Sequence, residues 1–197
     1  AEISGDARIS GDARIYGDAE ISGNARIFGD ARISGNAEIY GDAEISGDAR
    51  ISGNAEIYGD AEISGNARIS GDALISGDAR IYGDAEISGD ARIYGDAEIS
   101  GNARISGNAE IYGDAEISGN DDCLCFKGLG SRNRNTTFFK CKDGHIHVVC
   151  GCFDGNLDEF AAKVRETHGN STYAREYLAC IDVVKIHFGI EEGKNGN

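Results

Sequence analysis

Apolar and polar residues alternate along most of this chain with a period of six. From Ala1 to Asn120 the sequence is twenty uninterrupted hexads of the form Ala-(Glu/Arg)-Ile-(Ser/Tyr/Phe)-Gly-(Asp/Asn), and only Leu74 departs from the pattern at the second position. Ala and Ile at positions one and three flank a charged residue, which predicts a short strand with both apolar side chains on one side. Gly followed by Asp or Asn predicts a corner, because these residues accept left-handed backbone angles. A period of six is neither helical nor heptad. Three such sides close a triangle of eighteen residues, so the repeat makes about 6.7 coils and a prism roughly 32 Å long. No hexad can fold alone. Each Ile contributes roughly 1.5–3 kcal/mol only once neighbouring coils cover it.

Spacing by itself specifies a β-solenoid. The twenty hexads of residues 1–120 further resemble the hexapeptide-repeat family. That resemblance implies an all-β, left-handed triangular β-solenoid, a hand opposite to the usual crossover rule. It also helps to exclude activities. Acyltransferases of that family resemble one another in using a His, usually with loops interrupting the coils, and its carbonic anhydrases hold zinc with His. Ice-binding β-helices present Thr ladders. This repeat has no His and no interruption, and every Thr lies after residue 120. No enzyme is therefore expected, an acyltransferase being the third and weakest reading. The uniformity of the hexads, with no Met even at the start, suggests a regularised or consensus-designed repeat.

Residues eighteen apart should stack, so the outer columns can be read from the sequence. One side carries Glu2, Glu20, Glu38, Glu56, Leu74, Arg92 and Glu110. A second carries Arg14, Arg32, Arg50, Arg68, Glu86 and Arg104, and the third is mixed. An acidic and a basic face of this kind could pair solenoids laterally, although such a pattern also suits plain solvated surface. Tyr40, Tyr58, Tyr94 and Tyr112 fall on the acidic side and are candidate binding residues. A ladder of this kind can stack on sugar rings, and it can equally shield the sheet through same-face pairing. Asp42, Asp60, Asp78, Asp96 and Asp114 share a corner column. Turn chemistry explains them, while stacked carboxylates also make them candidates for weak cation binding.

Composition then places these columns in context. The 197 residues include 29 Gly and no Pro, Met or Trp, with a formal net charge of -15. The hexads hold nine Arg against thirteen Asp and ten Glu, so -14 of that charge belongs to the repeat. A chain this acidic is a poor nucleic-acid binder. No apolar run approaches the ~20 residues of a membrane span, and no signal peptide opens the chain. A cytoplasmic location is the resulting expectation.

At Asp121 the composition changes, and all six Cys and all four His follow it. Residues 121–190 read as a small α+β cap, with 191–197 expected to be disordered. Strands are predicted over Thr136–Cys141 and His145–Phe153, flanking Lys142-Asp143-Gly144. Asn156 with Glu159 predicts a capping box for a helix ending near Gly169. Ser171 and Gly189 bound a second helix. Gly130-Ser131-Arg132-Asn133, Cys150-Gly151-Cys152-Phe153 and Glu166-Thr167-His168-Gly169 resemble the C-terminal module of uncharacterised hexapeptide-repeat proteins of bacteria and their phages. Such a module is expected to cover the last coil, since an uncovered solenoid end invites end-to-end assembly.

Cys123, Cys125, Cys141, Cys150 and Cys152, with His145 and His147, offer enough ligands for a tetrahedral metal site. The candidates selected are Cys123, Cys125, Cys150 and Cys152, although C-x-C is not the C-x2-C of a zinc knuckle. Alternation places Cys150 and Cys152 with Ile146 and Val148, and His145 and His147 opposite. Buried, inert cysteine is the simpler account, metal binding and disulfide pairing being the alternatives, and no cofactor is expected. Gly128–Arg132 is a weak anion loop, and His168 with Glu166 or Cys150 a weak catalytic pair. The expected function is structural: a scaffold that self-associates into dimers or fibres through an open N-terminal end or charged faces. A phage- or surface-associated module that binds glycan or protein is the alternative.

Overall fold

The computed structural model describes residues 1–190. The tail expected at 191–197 lies outside the described residues. Within residues 1–120 the hexads form two-residue strands, from β1 (Glu2–Ile3) to β20 (Glu116–Ile117). These strands pair in parallel with the strand eighteen residues on, Glu2 with Glu20 and Ile3 with Ile21, and so along the chain. Three sheets result, two of seven strands and one of six. The protein is a parallel β-solenoid of about 18 residues per coil.

Backbone hydrogen bonds beyond the strand ladders also tie each coil to the next. The N–H of Glu2 donates to the Ala19 carbonyl at 2.8 Å, that of Ser4 to Ile21 at 2.9 Å and that of Asp6 to Gly23 at 2.9 Å. The carbonyls of the Ala, Ile and Gly positions thus accept from the coil before. Side chains follow the predicted alternation: from Ala19 to Ile117 every Ala and Ile of the repeat is at most 2 % exposed. The first coil differs, and Ile3 is 52 % exposed.

The chain divides into two compact units, Ala1–Asn120 and a second unit beginning at Asp121. The second holds a four-stranded antiparallel sheet in sequence order: β21 (Cys123–Leu129), β22 (Arg134–Lys140), β23 (Ile146–Cys150) and β24 (Phe153–Asn156). Two helices follow, α1 (Leu157–His168) and α2 (Thr172–Phe188). One face of the sheet packs Phe138, Ile146, Val148 and Cys150 against Phe160, Val164, Tyr177, Ile181 and Val184 of the helices. Asn156 caps α1 as predicted, its side chain accepting from Glu159 N while Glu159 Oε2 accepts from Asn156 N, both at 2.9 Å. Ser171 caps α2, and Gly189 ends it in the left-handed conformation.

Two strand boundaries differ from the expectation. The strand expected through Phe153 breaks at Gly151, where the backbone turns with φ 64°, and Phe153 opens β24. Cys152 therefore lies exposed in a turn and does not share a strand face with Cys150. The strand β21 had no counterpart in the predicted elements.

Candidate functional site

The solenoid surface is a set of columns, each fixed by the eighteen-residue register. Where the charge sign alternates along a column, neighbouring coils pair. Arg68 meets Glu86 at 2.8 Å, Arg104 meets Glu86 at 3.3 Å and Arg80 meets Glu62 at 3.7 Å. These pairs are exposed, so each stabilises the fold by no more than about 1 kcal/mol. Where the sign is constant, as in Arg14–Arg32–Arg50 and Glu2–Glu20–Glu38–Glu56, like charges lie on adjacent strands. The N-terminal coils thus carry one uniformly basic and one uniformly acidic column.

The four tyrosines do not form one continuous ladder. Tyr40 stacks on Tyr58 with centroids 5.1 Å apart and rings 4° from parallel, and Tyr94 stacks on Tyr112 at 5.2 Å and 12°. Ser76 is buried between the two pairs, beside Leu74. Burial is the first cause that pushes the phenols of Tyr40, Tyr94 and Tyr112 up.

Corner residues form hydrogen-bonded ladders where Asn precedes Asp. Asn54 Nδ2 donates to Asp72 at 2.7 Å, Asn66 to Asp84 at 2.9 Å and Asn24 to Asp42 at 2.8 Å. Beyond Asp42, the run Asp60–Asp78–Asp96–Asp114 has no Asn to donate in this way. There the Asp78 carboxyl is raised above its ordinary value, first by a hydrogen bond to Asp96 and then by charge from Asp96 and Asp60. Two neighbouring carboxylates hold a shared proton better than two bare charges.

In the second unit the candidate thiols separate. Cys150 lies on the helix side of the sheet, accepting from Thr136 Oγ1 at 3.1 Å. Cys123 and Cys125 alternate onto the other face, where burial pushes the Cys123 thiol up to about 12. The four selected cysteines are not one cluster. Among the described residues the ligand atoms brought together are those of Cys141, His145 and His147, within 4.8 Å of one another. The turn at 142–144 does this, since Gly144 N donates to the Cys141 carbonyl at 2.8 Å and Cys141 N to the His145 carbonyl at 3.0 Å. The signal in the sequence was Cys and His at the two ends of a hairpin turn, followed by His two residues on.

The weaker candidates also find other partners. Gly130 N donates to Glu176 at 3.1 Å, so a carboxylate occupies the amide that an anion loop would offer. Glu166 pairs with Lys163 at 2.8 Å, while His168 stacks on Tyr177. His168 and Cys150 line a cavity of about 470 Å³ with Arg132, Arg134 and Lys163.

No helix among the described residues is long and apolar enough to cross a membrane. Comparison with curated proteins and with solved structures gave no match. A family model described as "Bactofilin: Polymer-forming cytoskeletal" matches residues 1–123, the whole solenoid and the first residues of the second unit. The family's description as polymer-forming agrees with a repeat that buries its core by stacking identical coils. The chain belongs to the bactofilin family.

Proposed function

We propose that this protein is a non-catalytic building block of a polymer, and that its copies join chiefly by stacking coil on coil. The observation that carries this reading is the match of residues 1–123 to a polymer-forming family, on a repeat whose Ala and Ile from Ala19 to Ile117 are buried between coils in parallel register. Each complete coil contributes one strand to each of the three sheets, so the edge of a coil is an edge of all three. Such an edge presents backbone groups and an apolar cross-section, the two features by which one coil already binds the next. Filament formation of the family supports assembly, and the edge gives it a physical route.

Lateral contact is a second reading, favoured by the segregated columns at Arg14, Arg32, Arg50 and Glu20, Glu38, Glu56. The two routes respond differently to salt. Edge pairing rests on hydrogen bonds and apolar burial, whereas contact between charged faces weakens as the Debye length shrinks from about 10 Å at 0.1 M to about 3 Å at 1 M. Electron microscopy and sedimentation of the full chain across this range test both. Filaments that persist at high salt but disappear in Ile3→Lys, Ile9→Lys support the edge. Filaments that survive this double substitution and dissolve in salt support the charged faces. A monomer under every condition would overturn both.

A further inference from the structure

The hairpin turn of the second unit carries a group of side chains outside the repeat. His145 Nδ1 is hydrogen-bonded to Asp143 Oδ1, and His147 Nε2 to Asp154 Oδ1. Each imidazole is thereby held by a carboxylate through one nitrogen. The remaining nitrogens, His145 Nε2 and His147 Nδ1, face each other at 3.4 Å. A neutral imidazole that donates its single N–H to a carboxylate has a bare lone pair on the other nitrogen. With both imidazoles in that tautomer, the two lone pairs point into the same space, with the Cys141 sulfur close by. Phe139 stacks on the His147 ring at 5.2 Å and fixes its plane.

We infer that Cys141, His145 and His147 form a binding site for a transition-metal ion of the zinc class. Three observations converge on it. Carboxylates behind both imidazoles are the arrangement that sets the tautomer and raises the basicity of metal-bound histidine. The nitrogen separation is that of a tetrahedral site, since two Zn–N bonds of about 2.0–2.1 Å set their nitrogens about 3.3–3.4 Å apart. One thiolate and two imidazoles are a donor set suited to zinc and not to calcium or magnesium. On binding, the Cys141 thiol gives its proton to solvent and its sulfur becomes a thiolate ligand, while both imidazoles bind as neutral donors. Three protein ligands leave the fourth position to water or an exogenous ligand. Cys141 is buried and both histidines are partly exposed, so the ion would enter from the histidine side.

Cobalt titration of the reduced, chelator-treated full chain tests the assignment. The expected result is one Co²⁺ per chain, with a thiolate-to-cobalt charge-transfer band and visible d–d bands of tetrahedral intensity, displaced by Zn²⁺. Cys141→Ser should abolish the charge-transfer band, and His147→Ala should lower affinity steeply. Asp154→Asn, which touches no metal, should weaken binding about 10–100-fold while keeping the spectrum. Cys152→Ser and Cys180→Ser should bind as the parent does. Since Cys141 is buried, its variant is checked by circular dichroism. Independently, Zn²⁺ should protect Cys141 from alkylation in the unaltered chain, read by peptide mass. Absence of stoichiometric cobalt binding, a charge-transfer band that survives Cys141→Ser, or affinity unchanged in His147→Ala would each overturn the site.

Discussion

One methyl group added at a corner reports directly on how closely the coils stack. Gly53 has φ 79°, and a Cβ built there would lie 2.7 Å from the carbonyl oxygen and 2.8 Å from the nitrogen of Gly71, in the coil above. Both atoms are backbone, so no side-chain rotation relieves the clash. Gly113, with φ 65°, has nothing within 4 Å of the same position. The two glycines separate two reasons for the residue. A left-handed backbone alone costs a side chain about 1–3 kcal/mol. Gly113→Ala should lose that amount in chemical denaturation of the solenoid, and Gly53→Ala distinctly more. Equal losses would show that the corners need glycine for conformation only and that the coils are not held at contact distance.

At the scale of the element, a column behaves as a unit. Asn-to-Asp steps give the corners a donor and an acceptor in each coil, whereas the run from Asp42 to Asp114 offers only acceptors. Asp78 holds its proton above the ordinary carboxyl range, chiefly through Asp96. A raised folded-state value means the folded chain binds the proton more tightly than the unfolded chain does. The stabilisation is fully present below about 3.9, the ordinary Asp value. It is lost as pH rises through the folded-state value. Asp78→Asn should therefore raise the melting temperature at neutral pH, since the amide can donate to Asp96 as Asn54 does to Asp72. The gain should vanish in acid, where the parent column is protonated. It should be smaller than the loss from Gly53→Ala, because the column is exposed. A neutral-pH melting temperature unchanged by the substitution would remove this account. These columns were legible in the sequence because the core repeats with the same period as the corners, so register follows from counting. The caps of α1 and α2 were legible for a local reason: Asn156, Glu159, Ser171 and Gly189 act within one helical turn. By contrast, β21 was not. Its Cys-Leu-Cys-Phe run reads equally as ligand spacing, and an irregularity between Phe126 and Leu129 breaks its alternation. Nor was the convergence of Cys141 with His145 and His147, which depends on the path of the turn between them.

For the whole solenoid, two periods coexist, six in the core and eighteen in the stacking. Ala and Ile occupy the same inward positions in every hexad, so the core does not distinguish one side of the triangle from another. The outer residues do: the Tyr40–Tyr58 pair and the acidic column exist only because coils repeat at eighteen. Excision should expose this difference. Removing residues 55–72 deletes one coil and leaves every later residue on its original side. Removing 55–60 moves each later hexad to another side of the triangle, yet every Ile still meets an Ile. Both variants should keep a β-rich spectrum and a cooperative transition, because stability in a repeat is a sum of unit and neighbour terms. The eighteen-residue variant should lose denaturant sensitivity of the solenoid transition by roughly a sixth, in proportion to the surface no longer buried. Removing 55–58 is the contrasting case. It would bring Gly59 and Ala61 to the inward positions and Ile63 to the corner at the junction, and leave the coils on either side without a matching strand. That variant should melt far below the other two or separate into two transitions. If it melted with them, stacking of Ile on Ile would not be what holds successive coils in register.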